Sequence, residues 1–89
     1  MEYKVYITVV SQEGKCAAEH KVGDVIEVTG PVITKGHICN SALVAMFPEI
    51  LALRLGAEIP WAKKGKVKVA CPDAENPVIF EIRRGEKID

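Results

Sequence analysis

The sequence predicts an α+β fold, in which a small antiparallel sheet with elements in the order β-β-α-β-β packs on one kinked helix. Two observations lead to this prediction. Four short segments are rich in β-branched residues and are bounded by turn-forming Gly, Pro and Asp, and one longer apolar segment with helical spacing lies between the second and the third. The chain has 89 residues and no internal repeat, so it is expected to form a single domain, residues 1–89.

The four predicted strands are recognised by composition and by their boundaries. In residues 3–10 apolar and polar side chains alternate, which is typical of a half-buried strand. The other predicted strands cover residues 25–29, 66–71 and 78–84. Pro31 ends the second strand because proline cannot donate to a ladder, and residues 32–34 are expected to add no more than a short edge piece.

The helix is predicted over residues 40–55, where apolar residues recur at helical spacing from Leu43 to Leu51. Asn40 or Ser41 is the expected N-cap, because short polar side chains accept hydrogen bonds from the first amides of a helix. Pro48 lies inside the segment, so we expect a kink there or the start of a second short helix.

This helix is apolar on more than one face, which indicates either burial between other elements or a contact between subunits. The second alternative predicts a homodimer through the helix. Met46 and Phe47 on the helix, together with Trp61 after it, are the predicted ligand or partner surface. The usual role of a tryptophan at such a position is to cover the open end of the core, and that alternative stays open for Trp61.

Charge and hydropathy exclude several classes of protein. Twelve basic and twelve acidic residues cancel, which argues against a nucleic-acid partner. The basic cluster of Lys63, Lys64, Lys66 and Lys68 is interpreted as a solvated turn and strand face. No secretory leader is recognised, and the most apolar stretch is too short to span a bilayer, so we expect a cytoplasmic protein without a membrane partner.

Three cysteines cannot close a complete set of intrachain disulfides, and free thiols are the default in a reducing compartment. Cys71 lies on the apolar face of its predicted strand. Pro72 comes next in the chain and keeps Cys71 extended. A cysteine at such a place is usually a small apolar residue that closes a core. A thiol at the end of a strand, beside a loop, is also in a position to line a ligand pocket.

Cys39 is the better candidate for a reactive thiol. It precedes the predicted helix, where unsatisfied amides favour the thiolate, which is the nucleophilic form. His37 lies two residues upstream and would share a side with Cys39 in an extended segment. The pair therefore suggests a thiol enzyme, with a surface histidine beside a buried cysteine as the alternative.

A metal or redox site is the other chemical hypothesis. The potential ligands are Cys16, His20, His37, Cys39 and Cys71, and zinc or iron is the expected metal. The core of this site would be Cys39, Cys71 and His37. The spacings C-x-x-x-H and H-x-C match no standard zinc pattern, and Cys16 and His20 would meet only on a helical turn.

Three segments together resemble a family of short, uncharacterised bacterial and archaeal proteins of about this length: HKVGDVIEV, GHICNSALVAMFPEILALRLGAEIPW and VKVACPDAENPVIFEIRR. The resemblance covers nearly the whole chain, and GKCAAEH matches the family least. It implies a single self-contained domain with Cys39 and Cys71 in the two signature segments, and with Gly56, Pro60 and Trp61 closing the helical one. It implies no reaction, substrate or cofactor.

The sequence leaves three functions open. The first is a small domain that binds a ligand or a partner, the second is a metal or redox protein, and the third is a thiol enzyme that uses Cys39.

Overall fold

The computed structural model describes residues 2–88, which form one helix and one five-stranded sheet. The elements are β1 Tyr3–Gln12, β2 Val25–Thr29, β3 Val32–Lys35, α1 Asn40–Arg54, β4 Lys66–Ala70 and β5 Val78–Lys87. The strand order is β3-β2-β1-β5-β4, and every neighbouring pair is antiparallel. The predicted α+β class is confirmed. The sheet has one strand more than the predicted order, because β3 pairs with β2 as an exposed edge strand.

The core lies between one face of the sheet and the helix. Val5, Ile7 and Val9 of β1 are almost fully buried, and Ile7 and Val9 lie opposite Ile82 and Phe80 of β5. This arrangement follows from the period of two along each strand, which directs alternate side chains to the same face. The helix residues that complete the core are Ala42, Met46, Ile50 and Leu53.

The helix begins at Asn40, as predicted, but its cap is not the expected residue. Its N-cap is Cys39, whose side chain accepts a hydrogen bond from the amide of Ala42, rather than Asn40 or Ser41. The helix continues through Pro48 without interruption. Pro48 is exposed, as is Val44 one turn earlier, so water can satisfy the carbonyl that the proline leaves without a partner.

The outward side of the helix is also apolar. Met46, predicted to belong to a partner surface, is instead fully buried in the core. An exposed stripe remains on the opposite side, and we call it the outer stripe: Val44, Phe47, Leu51 and Leu55. One apolar face therefore packs on the sheet, and the other is open to solvent in a single chain.

Within residues 2–88 no helix is both long enough and apolar enough to cross a membrane.

Candidate functional site

Three separate segments of the chain meet beside the N-terminus of the helix and enclose a pocket of about 530 Å³. Each segment contributes one cysteine to the pocket wall: Cys16 from the loop after β1, Cys39 from the start of the helix, and Cys71 from the end of β4. All three thiols are free and partly buried, and all three side chains pack against the core. We call this the three-cysteine pocket.

The sulfur of Cys39 occupies the place that an oxygen usually takes at a helix start. The amide of Ala42 donates to Cys39 Sγ at 3.4 Å, so the sulfur partly satisfies the first turn of the helix. The predicted position of Cys39 at a helix start is therefore found, with the sulfur turned towards the amides.

Cys71 extends the ladder of β4 by one hydrogen bond. Its amide donates to the carbonyl of Val78 at 2.9 Å, and the amide of Val78 donates to Cys71 Sγ at 3.3 Å. Cys71 packs on the core, in line with its predicted inward direction, and at the same time lines the pocket. Two of the three sulfurs in the pocket thus accept hydrogen bonds from backbone amides.

Asn76 fixes the loop that carries Cys16. Its side-chain Oδ1 accepts a hydrogen bond from the amide of Lys15 at 2.8 Å, and the amide of Glu13 donates to the carbonyl of Pro77 at 3.0 Å. Gly14 has a left-handed φ of 68°, and a Cβ there would overlap Asn76 Oδ1. The absence of a side chain at Gly14 therefore allows the Cys16 loop to lie against the loop before β5.

Two histidines connect the same loop to the start of the helix. His37 Nε2 donates to the carbonyl of Ala18 at 2.9 Å, and His20 Nε2 accepts from the amide of Cys39 at 3.2 Å. The two rings stack with their centroids 4.8 Å apart. The Cys16 loop is thus held from both sides, by Asn76 on one side and by the histidine pair on the other.

His20 is the buried member of this pair. Burial, and to a smaller extent the neighbouring His37, lowers the pKa of His20, while Asp24 acts in the opposite direction. Because Nε2 accepts a hydrogen bond, the neutral ring carries its proton on Nδ1, and that buried atom has no hydrogen-bond partner within residues 2–88. Burial therefore favours the neutral ring, since protonation would place a charge where water is largely excluded.

The histidines predicted as metal ligands or as a catalytic base contact backbone groups in the structure. Neither His20 nor His37 lines the three-cysteine pocket, and the Nε2 atom of each is engaged with the backbone. Among residues 2–88, no three His, Cys, Asp or Glu side chains form a group that could hold one metal ion. Three of the five predicted metal ligands, Cys16, Cys39 and Cys71, therefore line one pocket.

Sequence reasoning missed Asn76 altogether. Asp73 and Gly14 are the signals that could have found it, because both residue types favour turns. Asp73 closes the turn that holds Asn76 by accepting hydrogen bonds from the Glu75 and Asn76 amides at 3.2 Å. Nothing in the sequence indicates that Asn76 reaches across to a loop 61 residues away. That contact exists only because β1 and β5 pair in the sheet.

A second cleft, of about 400 Å³, lies beside Trp61. Its walls are Trp61, Lys63, Lys66, Val67, Lys68 and Glu81, so part of the basic cluster lines it. Trp61 is 67% exposed and does not cover the core, in contrast to the usual role of a tryptophan at such a place. The one ion pair that joins two of these walls links Lys66 Nζ and Glu81 Oε1 at 3.7 Å, with half of the lysine side chain exposed.

Comparison of the chain with family models, with curated proteins and with solved structures gave no match. The resemblance to a family of short bacterial and archaeal proteins therefore stays a prediction.

Proposed function

We propose that this protein binds a thiophilic ligand in the three-cysteine pocket. The observation that carries the proposal is the convergence of Cys16, Cys39 and Cys71, from three distant segments, on one pocket of about 530 Å³. Pockets for small ligands and cofactors range from about 300 to about 1,000 Å³. The proposal requires reduced thiols and is in keeping with the cytoplasmic location predicted from the sequence.

Two features support a binding role for the sulfurs over a packing role. Cys39 Sγ and Cys71 Sγ each accept a hydrogen bond from a backbone amide, an arrangement also found around sulfurs that bind ligands. In addition, the loop with Cys16 is fixed by side chains from both neighbouring segments. A cysteine that only filled space would need neither feature.

The thiol-enzyme alternative has less support. A nucleophilic thiol needs a base within hydrogen-bond reach, and the two histidines near Cys39 bind backbone groups through Nε2. His20 contacts the amide of Cys39 and not its sulfur. We therefore interpret both rings as positioning groups of the pocket.

The proposal is tested with N-ethylmaleimide as a thiophilic probe. Cys39 is expected to react first, and its adduct then fills the shared pocket and slows the reaction of Cys16 and Cys71. Intact-chain and peptide mass spectrometry should therefore find fewer doubly labelled chains than independent reactions would give. In urea the three reactions should become independent.

A matched control places a fourth thiol in the other cleft through Lys63→Cys, at an exposed residue of its wall. Its labelling should be independent of the adduct on Cys39. In the folded protein, the adduct on Cys39 should slow labelling of Cys16 and Cys71 but not of the added thiol. If it slows neither, the three natural thiols do not share one binding site and the proposal is wrong.

A second candidate function is association through the outer stripe. Its members recur every three or four residues along the helix and are between 37% and 75% exposed, which favours a partner, with a second copy of the chain as the simplest one. Sedimentation velocity should show a dimer that Phe47→Glu dissociates. Ala45→Glu, at an exposed position off the stripe, should leave the dimer intact, and a monomer at all concentrations argues against this function.

A further inference from the structure

We propose that the cleft beside Trp61 is a second binding site, which takes a free nucleotide with its base stacked on the Trp61 indole and its phosphate beside Lys63 and Lys68. This site is separate from the three-cysteine pocket and does not depend on the proposed function. Three observations carry it: a cleft of about 400 Å³, an exposed aromatic ring in its wall, and an excess of positive charge around it.

The backbone around the cleft is held in place by hydrogen bonds. Lys63 and Lys66 exchange two backbone hydrogen bonds of 3.0 Å, which close the turn that leads into β4. The amide of Ala62 donates to the carbonyl of Ile59 at 3.0 Å, so the chain also turns at Trp61. The side chains of Trp61 and Lys63 are exposed, whereas the backbone that carries them is fixed. A ligand can therefore be bound by turning of side chains, without rearrangement of the backbone.

Trp61 offers a flat apolar surface to a ligand. Its side chain is 67% exposed, and among residues 2–88 its ring stacks on no other ring and lies against no cation. Tryptophan is highly buried on average in folded proteins. A planar heterocyclic base is a suitable partner for an exposed indole, because aromatic side chains stack on the face of every base.

The cleft carries more positive than negative charge. Lys63, Lys66 and Lys68 line it together with one carboxylate, that of Glu81, which pairs with Lys66 at 3.7 Å. Lys66 and Lys68 point to the same face of the sheet, because alternate strand residues share a face and Val67 between them is buried. Within residues 2–88 Lys63 and Lys68 form no ion pair. Three lysines and one glutamate leave an excess of two positive charges, which matches a phosphate monoester with about −1.5 to −2 charges at pH 7.

A single free nucleotide fits the cleft better than a nucleic-acid strand does. The volume of about 400 Å³ is near the lower end of the range for ligand pockets, which is about 300 to about 1,000 Å³. The chain has twelve basic and twelve acidic residues, so its net charge provides no strong positive field for a long phosphate backbone. Because the lysines of the cleft are exposed, salt screens their contact with the phosphate, and a modest affinity is expected.

Equilibrium dialysis of the full chain against adenosine monophosphate tests the site. We expect saturable binding of one nucleotide per chain, with a dissociation constant of about 1 mM or below that rises with added salt. Adenosine lacks the phosphate and inorganic phosphate lacks the base, so each should bind at least about tenfold more weakly than the nucleotide.

Four variants test the two contacts. Trp61→Ala should weaken binding by about tenfold, whereas Trp61→Phe keeps a flat ring and should retain most of the affinity. Lys68→Gln should weaken binding by about two- to fivefold. Lys21→Gln is the matched control at an exposed lysine outside the cleft, and it should bind as the natural chain does. The three positions are exposed, so each variant should fold, and circular dichroism checks this.

Absence of saturable binding at millimolar nucleotide overturns the inference, and so does equal binding of adenosine and adenosine monophosphate. An equal loss in Lys21→Gln and Lys68→Gln would show attraction by overall charge instead of binding in the cleft, which also overturns it. A short oligoadenylate is the last probe. If it binds more than about tenfold more tightly per nucleotide than the free nucleotide, the cleft belongs to single-stranded nucleic acid and the assignment to a free nucleotide is wrong.

Discussion

The three-cysteine pocket and the cleft beside Trp61 have similar volumes but are built in different ways. Three chain segments form the pocket, and they are joined to one another by hydrogen bonds of Asn76, His20 and His37. The cleft is lined mostly by long, exposed side chains, with a single ion pair between its strands at 3.7 Å. Exposed ion pairs contribute little stability, whereas three hydrogen bonds between distant segments, one of them part-buried at the Cys39 amide, together fix a geometry. The difference marks the pocket as a preorganised site and the cleft as solvated surface.

The largest expected effect is a difference in stability between variants of two glycines, one beside the pocket and one beside the cleft. Gly14 and Gly65 both have left-handed φ values, 68° and 75°, but a Cβ at Gly14 would overlap Asn76 whereas Gly65 has open space around it. Gly65→Ala should cost about 1 kcal/mol from backbone strain. Gly14→Ala should cost about 1–3 kcal/mol more, because the overlap forces the Cys16 loop away.

Urea unfolding of both glycine variants measures the two free energies. The rate of Cys16 alkylation should rise in Gly14→Ala and stay unchanged in Gly65→Ala. Equal costs for the two variants would show that the Cys16 loop does not depend on its contact with Asn76.

The next effect concerns Asn76 itself. Asn76→Ala removes the acceptor for the Lys15 amide, and it should lower the free energy of unfolding by about 1–2 kcal/mol. Asn40 also lines the pocket, but its exposed side chain accepts a hydrogen bond from the adjacent Ser41 hydroxyl rather than from a distant segment, so Asn40→Ala should change stability by about 0.5 kcal/mol or less. Chemical denaturation of the two variants in parallel checks this order. A larger loss in Asn40→Ala would mean that the bond to Lys15 does not hold the loop.

A smaller effect depends on pH and tests the histidine pair. Burial lowers the pKa of His20 in the folded chain below its ordinary value of 6.5, so below about pH 6.5 the unfolded chain binds a proton that the folded chain does not. Stability should therefore fall as the pH drops below 6.5, by up to about 1.4 kcal/mol per pH unit for one proton, until the folded pKa is reached.

His20→Gln keeps an acceptor for the Cys39 amide but cannot titrate, so it should flatten this pH dependence. His37→Gln should retain most of it, because burial is the larger cause of the shift at His20. Thermal melting from pH 8 to pH 5 compares the three proteins. An unchanged slope in His20→Gln would assign the pH dependence to other groups.

The smallest effect is expected in the cleft. Trp61 is 67% exposed, so Trp61→Ala should change the free energy of unfolding by less than about 0.5 kcal/mol. Circular dichroism is the suitable signal because the substitution removes the only tryptophan. A cost comparable to that of Asn76→Ala would show that the cleft is as firmly built as the pocket.

The sequence by itself determined the local elements and the fold class of this protein. Alternation of apolar residues in β1 and helical spacing in α1 are patterns of near neighbours, and burial of one apolar face acts on them directly. It also placed Cys39 at a helix start, because the helical pattern begins just after it. The extra strand β3 was harder to predict, since its four residues are all exposed and carry no alternating pattern of burial.

Only the tertiary structure decided what the cysteines and histidines contact. Cys16 and Cys71 are 55 positions apart, and they share a pocket because β1 and β5 pair over almost their whole length and bring their adjoining loops together. His20 and His37 resembled ligands in the sequence because a side chain's type says what it can bind and not what it meets. Their partners are backbone groups in other segments, and such long-range contacts are fixed by sheet pairing and core packing, which leave no periodic signal in the sequence.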